Sequence, residues 1–411
     1  MNDTRLYEQI LGLQPPWSVK AVALKVAEGV IEVEVAVAET AWACPECGQR
    51  MHVHGYERRR WRHLDSCQFK TFVVAEVPRV KCDRHGTQMV RVPWAEVRSR
   101  FTMWFERLAI EVLKECSTKA ACEMLRISWH QADGIKQRAI DRGLRRRQAE
   151  PLKRLCIDEK AVGWGHSYVT IVSCADGPTA RVLAVEDGRE ERSLNRFWRS
   201  LTREQRAGVE TVAMDMWEAY WNSTVRYLPN AAEKIVYDNF HLARSMNQAV
   251  DEVRRWERAQ MATADAEALK GTRQLWLYGL ENLPRKWASR FKALLEVATK
   301  TARAWKVKEL LRSFWRCADP GDALAYFRQW CREAMATRLE PVKKVVRLFK
   351  KHWANIVTYF RYHLSNAASE GLNSRIQQLI QKACGYRNRD RFKRDVLFHL
   401  GGLDLYPASA Q

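Results

Sequence analysis

Two short pairs of metal-ligand residues constrain the front of this chain more than any other feature. Cys44-Pro45-Glu46-Cys47 is followed by Gly48, and Cys82-Asp83-Arg84-His85 by Gly86. A two-residue gap lets both side chains of a pair converge on one tetrahedral ion, and borderline-soft Zn²⁺ suits thiolate and imidazole. The stretch from Gly48 to Lys81 is longer than the loop of a short finger, so a zinc ribbon with a β-rich insert is expected. His52, His54, His63 and Cys67 compete with His85 for the fourth position. Four protein ligands leave no open place for a substrate, so this zinc is structural. Arg58-Arg59-Arg60-Trp61-Arg62 lies in the insert, either to touch phosphates or as a solvated strand.

Ahead of and within this module the pattern is that of strands. Residues 18–38 alternate apolar and polar around Glu28-Gly29, the signature of a hairpin. From Phe101 the period becomes helical. One helix covers Trp104–Lys114, with Phe105, Leu108, Ile110 and Val112 apolar, and a second begins at Ser117-Thr118 and runs to about Leu125. After the turn Arg126-Ile127-Ser128, a third helix capped by Ser128 runs to about Arg142. Two helices joined by a tight turn let the second enter a major groove. Gln131, Lys136, Gln137 and Arg138 on that helix are the candidates to meet DNA, since Gln and Lys read base edges. Arg142, Arg145, Arg146, Arg147, Lys153 and Arg154, with Pro151, read as a basic linker.

The charge balance agrees. Lys and Arg number 69 against 48 Asp and Glu, a net of +21, which attracts a polyanion because each neutralised phosphate releases counterions. There is no apolar run of about 18 residues, so no membrane span is expected. The start, Met1 to Arg5, lacks the form of a signal peptide, and an odd count of 11 cysteines fits a reducing compartment. The expected location is the cytosol, at the nucleoid.

Between 155 and 240 short apolar strands alternate with helical stretches, an α/β pattern. Strands are expected near 155–158, 167–174, 180–186, 209–215 and 234–237. Asp158 ends the first and Asp215 the fourth, and a carboxylate at a strand end faces the cleft where ligands bind open α/β sheets. Like charges held together call for a cation, here Mg²⁺ or Mn²⁺. A third acid is expected from a helix. Glu370, one turn into the helix after Ser365-Asn366 and followed by Asn373 and Ser374, is the strongest candidate. Asp238 and His241 either line the cleft or cap a helix. Trp217 and Tyr220 either stack on a frayed base or belong to the core. Residues 241–364 read as helical, with Trp256, Trp276, Trp305, Trp315, Trp330 and Trp353 mainly packing between helices.

In this order the motifs resemble the ISL3 family of insertion-sequence transposases, over essentially the whole chain. The matching stretches are Leu6 to Leu13, the Cys44–Cys47 knuckle, Asp158-Glu159-Lys160 with Gly165-His166 and Tyr168-Val169-Thr170, and Met214-Asp215-Met216-Trp217 with Tyr220. They continue through Asp238-Asn239-Phe240-His241, Ser365-Asn366 to Glu370-Gly371 and Asn373, and Gly385-Tyr386-Arg387-Asn388. Many relatives close the zinc site with another cysteine pair where this chain has His85. The resemblance implies a DDE triad of Asp158, Asp215 and Glu370 performing two-metal phosphoryl transfer, with ions roughly 3.5–4 Å apart, Asp158 bridging them, and Asp215 and Glu370 on either side.

The expected fold is multidomain α+β. A β-rich zinc module spans 1–97, a helix-turn-helix and basic linker 98–150, and a ribonuclease H-like core 151–411, interrupted by a helical insertion at about 245–362. The expected partners are double-stranded DNA, at the element's terminal repeats and at the target, and further copies of the chain in a dimer or higher oligomer. Two rival functions remain: a zinc and helix-turn-helix regulator, which leaves the acids idle, and a ribonuclease H-like nuclease that cuts without joining.

Overall fold

The computed structural model describes residues 3–147, 150–162, 168–363 and 367–408, which fall into two compact units. One unit joins Met1–Ala149 to Lys382–Gln411, and the other is Glu150–Gln381. Gly165, His166, Ser365 and Asn366 lie outside the described residues, as does the side chain of Glu370.

The first unit opens with a helix, Asp3–Leu11, and then β1 (Trp17–Lys25), β2 (Val30–Val37), β3 (Ala41–Ala43), β4 (Arg50–Arg62), β5 (Lys70–Cys82) and β6 (Gly86–Met89). The sheet order is β1-β2-β5-β4-β3, with β6 paired to β5. β1 and β2 are antiparallel, and Gly29 between them has φ +64°, a left-handed position that glycine occupies without a Cβ penalty. Alternate side chains of β2 and β5 (Val33, Val35, Val73, Ala75, Val77) are buried, and Trp17, Trp61 and Trp94 meet edge to face over them at 5.0–5.4 Å. The opening motif also serves this core: Tyr7 donates to Ser66, and Glu8 accepts from the Val19 amide.

Three helices follow, Met103–Glu115, Thr118–Leu125 and Trp129–Arg147. Thr102 and Ser117 cap the first two by accepting from Phe105 and Ala120. Ser128 and Gln131 exchange the reciprocal bonds of a capping box at the third. Phe105, Ile110, Leu113, Leu125, Ile135 and Ile140 form their core, while Leu108 is exposed. The third helix runs unbroken through Arg147, so Arg142–Arg147 are its last turns and not a linker. Arg142 is buried on Glu96 and Glu106, which holds that end in place.

The C-terminal helix Arg389–Leu400, which sequence alone groups with residues 151–381, is the fourth member of this bundle. Its Phe398 enters the same core, and Asp395 pairs with buried Lys136 at 2.8 Å while accepting from Tyr386. Asn388 caps it. Tyr386 and Asn388 therefore have structural tasks here.

In the second unit, β7 (Arg154–Ala161), β8 (Tyr168–Cys174) and β9 (Arg181–Asp187) form an antiparallel meander, and β10 (Thr211–Met214) and β11 (Ile235–Tyr237) add in parallel beside β7. The order is β11-β10-β7-β8-β9. The central strands are covered on both faces, which is why they read as continuous apolar runs: Leu155, Cys156 and Ile157 have no exposed surface, nor do Val212, Ala213 and Met214. Leu194, Phe197 and Trp198 from the helix Glu191–Ser200 pack against them.

From Asn239 to Tyr362 the chain is helical, with its own core around Trp276, Phe314, Trp330 and Phe349. Trp305 is buried there, Trp315 and Trp353 are partly buried, and Trp256 is exposed beneath the Lys300 ammonium. Asn355, buried, donates to the carbonyls of Ala232 and Ile235 and so ties the far end of this block to β11.

Candidate functional sites

Two groups of potential ligands stand out, one in each unit. In the first, the turn after β3 carries Cys44 and Cys47, and the turn between β5 and β6 carries Cys82 and His85. Pairing of β3 with β4, of β4 with β5, and of β5 with β6 brings the two turns together. The donor atoms of all four residues lie within 4.8 Å of one another. Cys47 Sγ is 3.7 Å from Cys82 Sγ, Cys44 Sγ 3.8 Å from His85 Nδ1, and Cys82 Sγ 3.4 Å from the same nitrogen. Thiolates about 2.3 Å from a shared tetrahedral Zn²⁺ should be about 3.8 Å apart, so the four donors fit that ion. Burial opposes ionisation of Cys82, yet the Arg84 and His85 amides and the His85 ring bring its thiol down to about 6.

The competing ligands are placed elsewhere. His63 is buried and bonded to Thr102, and burial holds its ring down at about 4. His52 and His54 lie on the exposed face of β4, with Arg58 and Arg60, and Cys67 sits in an exposed turn.

In the second unit Asp215 follows the end of β10, whereas Asp158, expected at a strand end, lies inside β7, which runs on to Ala161 and pairs Asp158 with Ile171 of β8. β7 and β10 are neighbours, and Ile157 is registered with Met214, so Asp158 and Asp215 each stand one residue beyond a matched pair. Burial, and behind it the Asp215 carboxylate, push the Asp158 carboxyl up to about 6. One Asp158 oxygen accepts from the Glu159 amide at 2.8 Å, and the other from Asn373 at 2.7 Å. Asn373 belongs to the helix Ala367–Lys382, so the helix bearing Glu370 one turn earlier lies beside Asp158 of β7.

Asp238 follows β11, and its amide donates to the Met214 carbonyl. Sequence offers a cap or a cleft role for this residue, and the structure has it doing two jobs. One oxygen accepts from the Phe240 amide and caps the helix Asn239–Arg258, and the other lies 2.8 Å from His241 Nδ1. His241 Nδ1 is also 2.5 Å from an Asp215 oxygen. One N–H cannot point at both acceptors. It bonds Asp238, leaving the Asp215 oxygen buried, beside the ring, and without a hydrogen bond. The Asp215 and then the Asp238 carboxylate raise the ring to about 10. Asp215, Asp238 and His241 lie close enough to hold an ion. The His241 ring lies between the two carboxylates and braces Asp215.

Tyr220 is core: it is buried, and its hydroxyl pairs with Thr170 at 3.0 Å. Trp217 differs. It is 43 % exposed, its ring N–H donates to the Arg189 carbonyl, and the Arg189 guanidinium lies between it and Tyr168 while pairing with Glu159.

Among the expected DNA-reading side chains, several are engaged internally. Lys136 is buried on Thr118 and Asp395, and Arg138 is paired to buried Glu106. Gln131 spends its side chain on the cap, and Gln137 bonds Asp141 and Arg394. Arg146 and Arg147 bind the C-terminal segment at Asp404 and Gly401. Arg145 is exposed without an internal partner among the described residues. Trp129 and His130, which sequence reasoning passed over, are exposed in the first turn of the third helix. The signal for this exposed turn was the cap at Ser128, which it directly follows.

Residues 155–396 match the family model of the ISL3 DDE transposase, described as transposase. The chain belongs to the ISL3 family of transposases. Residues 40–85 match the zinc finger of the transposases of IS204, IS1001, IS1096 and IS1165, and residues 90–139 the helix-turn-helix domain of ISL3 transposases. The chain is 26 % identical over 356 residues to the transposase for IS1001 of Bordetella parapertussis, covering 85 % of this chain and 86 % of that protein. It is 26 % identical over 371 residues to the transposase for IS1557 of Mycobacterium tuberculosis, covering 84 % and 82 %. This ISL3 protein is therefore a transposase, a DNA-cleaving and DNA-transferring enzyme with zinc-ribbon and helix-turn-helix domains that bind DNA. Among its described residues no helix is long and apolar enough to cross a membrane.

Proposed function

We propose that Asp158, Asp215 and Glu370 are the catalytic carboxylates of this transposase, in a ribonuclease H-like core spanning residues 151–381 with a helical insertion between β11 and the Glu370 helix. The observation that carries the reading is the 2.7 Å bond from Asn373 to Asp158, which links the helix of the third acid to the strand of the first. The sheet order, a three-strand antiparallel meander with two parallel strands beside its first strand, supports the ribonuclease H-like assignment.

The donor set suits divalent cations. Asp158 is held above its ordinary range by burial and then by the like charge of Asp215, and a buried Asp215 oxygen has no hydrogen bond. Bound by Asp158, Asp215 and Glu370, Mg²⁺ or Mn²⁺ supplies charge neutralisation and polarises the phosphoryl group. The protein's own share is positional. Asn373 orients Asp158, and His241 together with Asp238 fixes Asp215 and offsets its charge. The zinc ribbon, with one structural Zn²⁺, and the exposed turn at Trp129 and His130 hold the DNA end, with Arg145 on phosphates. Joining requires two ends at once, so the active form on DNA is a dimer or larger.

The test is a duplex carrying the element's own terminus with Mg²⁺, followed for strand cleavage and for joining to a second duplex. Wild-type protein should do both, and Asp158→Ala neither, while still binding the end. Joining by Asp158→Ala overturns the assignment. Cutting without joining by wild-type protein would make the core a nuclease.

A further inference from the structure

The helix Asn239–Arg258 begins at the acidic site, where His241 meets Asp215, and then runs away from it. Leu242, Met246, Ala249, Val250 and Val253 bury one face. Arg244, Gln248, Asp251 and Arg255 recur at steps of three and four on the opposite face. With Asn247 and Arg273 they line a groove of about 490 Å³.

Its charge is incompletely neutralised. The single Asp251 carboxylate is shared by three guanidinium groups, Arg254 at 2.8 Å, Arg255 at 3.6 Å and Arg273 at 3.3 Å. Arg244 is exposed with no internal partner among the described residues. The other acid on the groove, Glu252, has Lys344 at 3.9 Å. Cations fixed in a concave polar surface, with donors such as Asn247 and Gln248 between them, suit phosphate oxygens. From His241 to Arg255 the helix rises about 21 Å, matching the axial rise of about six nucleotides of one strand.

We propose that this groove holds the sugar-phosphate backbone of the DNA strand leading to the acidic site, with Arg244, Arg255 and Arg273 each on a phosphate along it. The assignment of the strand as the one being cut rests on the catalytic reading above; the binding of DNA in the groove does not. Asp251 is a positioning residue, spreading the guanidinium groups while leaving net positive charge.

The experiment uses full-length protein and a fluorescein-labelled duplex of mixed sequence, titrated by anisotropy at roughly 50 to 200 mM salt without added divalent metal. The triple variant Arg244→Ala, Arg255→Ala, Arg273→Ala should bind at least about tenfold more weakly at the lowest salt. It should also flatten the slope of log affinity against log salt by about 2.7, or about 0.9 per lost contact. The matching Arg→Lys triple should keep most of the slope. A folded Ala triple with wild-type affinity and slope overturns the proposal, as does one that loses only self-association. If that triple fails to fold, Arg244→Ala alone decides, since it breaks no internal contact: a slope lower by about 0.9 supports the groove, and an unchanged one overturns it. Asp158→Asn should bind the duplex with the wild-type slope. Its retention of cleavage would sink the acid assignment and leave the groove standing.

Discussion

The zinc ribbon and the acidic site are both clusters of ligand side chains, yet they are built on opposite principles. Cys44, Cys47, Cys82 and His85 come from two tight turns held by adjacent strand pairs, and they close on one another as a four-donor set. Asp158, Asp215 and Asp238 come from three neighbouring strands, the first inside β7 and the others just past β10 and β11, and Asn373 beside them arrives from far along the chain. The first cluster is complete within itself. The second is a concentration of like charge, relieved only in part by His241 and Asn373. A closed set of neutralising ligands makes a structural metal stable, whereas an incompletely compensated set of acids leaves room for cations and a phosphate.

The sharpest way to break the comparison is to remove one member of each cluster. Asp158→Ala should lower strand cleavage by a factor of about 10³ or more and leave end binding and zinc content unchanged. Cys82→Ser should do the reverse in kind. Bound zinc, measured by atomic emission, falls toward zero, end binding is lost with the ribbon's fold, and magnesium-dependent chemistry fails only for want of a bound end. Zinc retained at the wild-type level in Cys82→Ser would disprove the ligand set.

A third experiment tests the charge strain directly. The Asp158 carboxyl, at about 6 in the fold against 3.8 ordinarily, binds protons more tightly when folded. Its contribution to the stability of metal-free protein is therefore greatest below about pH 4 and declines as pH rises through 4 to 6. Asp158→Asn should raise the metal-free melting temperature at pH 7, by the equivalent of at most about 3 kcal/mol, and do little at pH 4. A destabilised Asp158→Asn at pH 7 would show the site to be already compensated.

The smallest expected effect separates the two tasks of Asp238. Asn caps helices as well as Asp, so Asp238→Asn should alter stability by no more than about 0.5 kcal/mol. Weakening its hold on His241 should still slow cleavage by about tenfold. Wild-type cleavage by this variant would reduce Asp238 to a cap.

Much of this was legible in sequence because the relevant interactions are local. The two-residue gaps, the caps at Ser117 and Ser128, and the apolar runs before Asp158 and Asp215 act within a few residues of themselves. The basic side chains of the third helix were not legible in this way. Lys136 and Arg138 have the composition of DNA-reading residues, and only the approach of Asp395 and Glu106, distant in sequence, turned them inward. Desolvating a cation is costly without a partner, so the position of that partner decides which arginines face DNA.

The sequence by itself determined the element types, the apolar strands that carry Asp158 and Asp215, and the paired ligands Cys44, Cys47 and Cys82 with the fourth left open, since periodicity and ligand spacing are properties of short stretches. Only the tertiary structure decided that the C-terminal helix joins the helix-turn-helix and that His241 reaches Asp215 at the end of another strand. It alone aligned Arg244, Arg255 and Arg273 along one groove. These depend on contacts between residues far apart in the chain, and local propensity carries no information about which distant partner arrives.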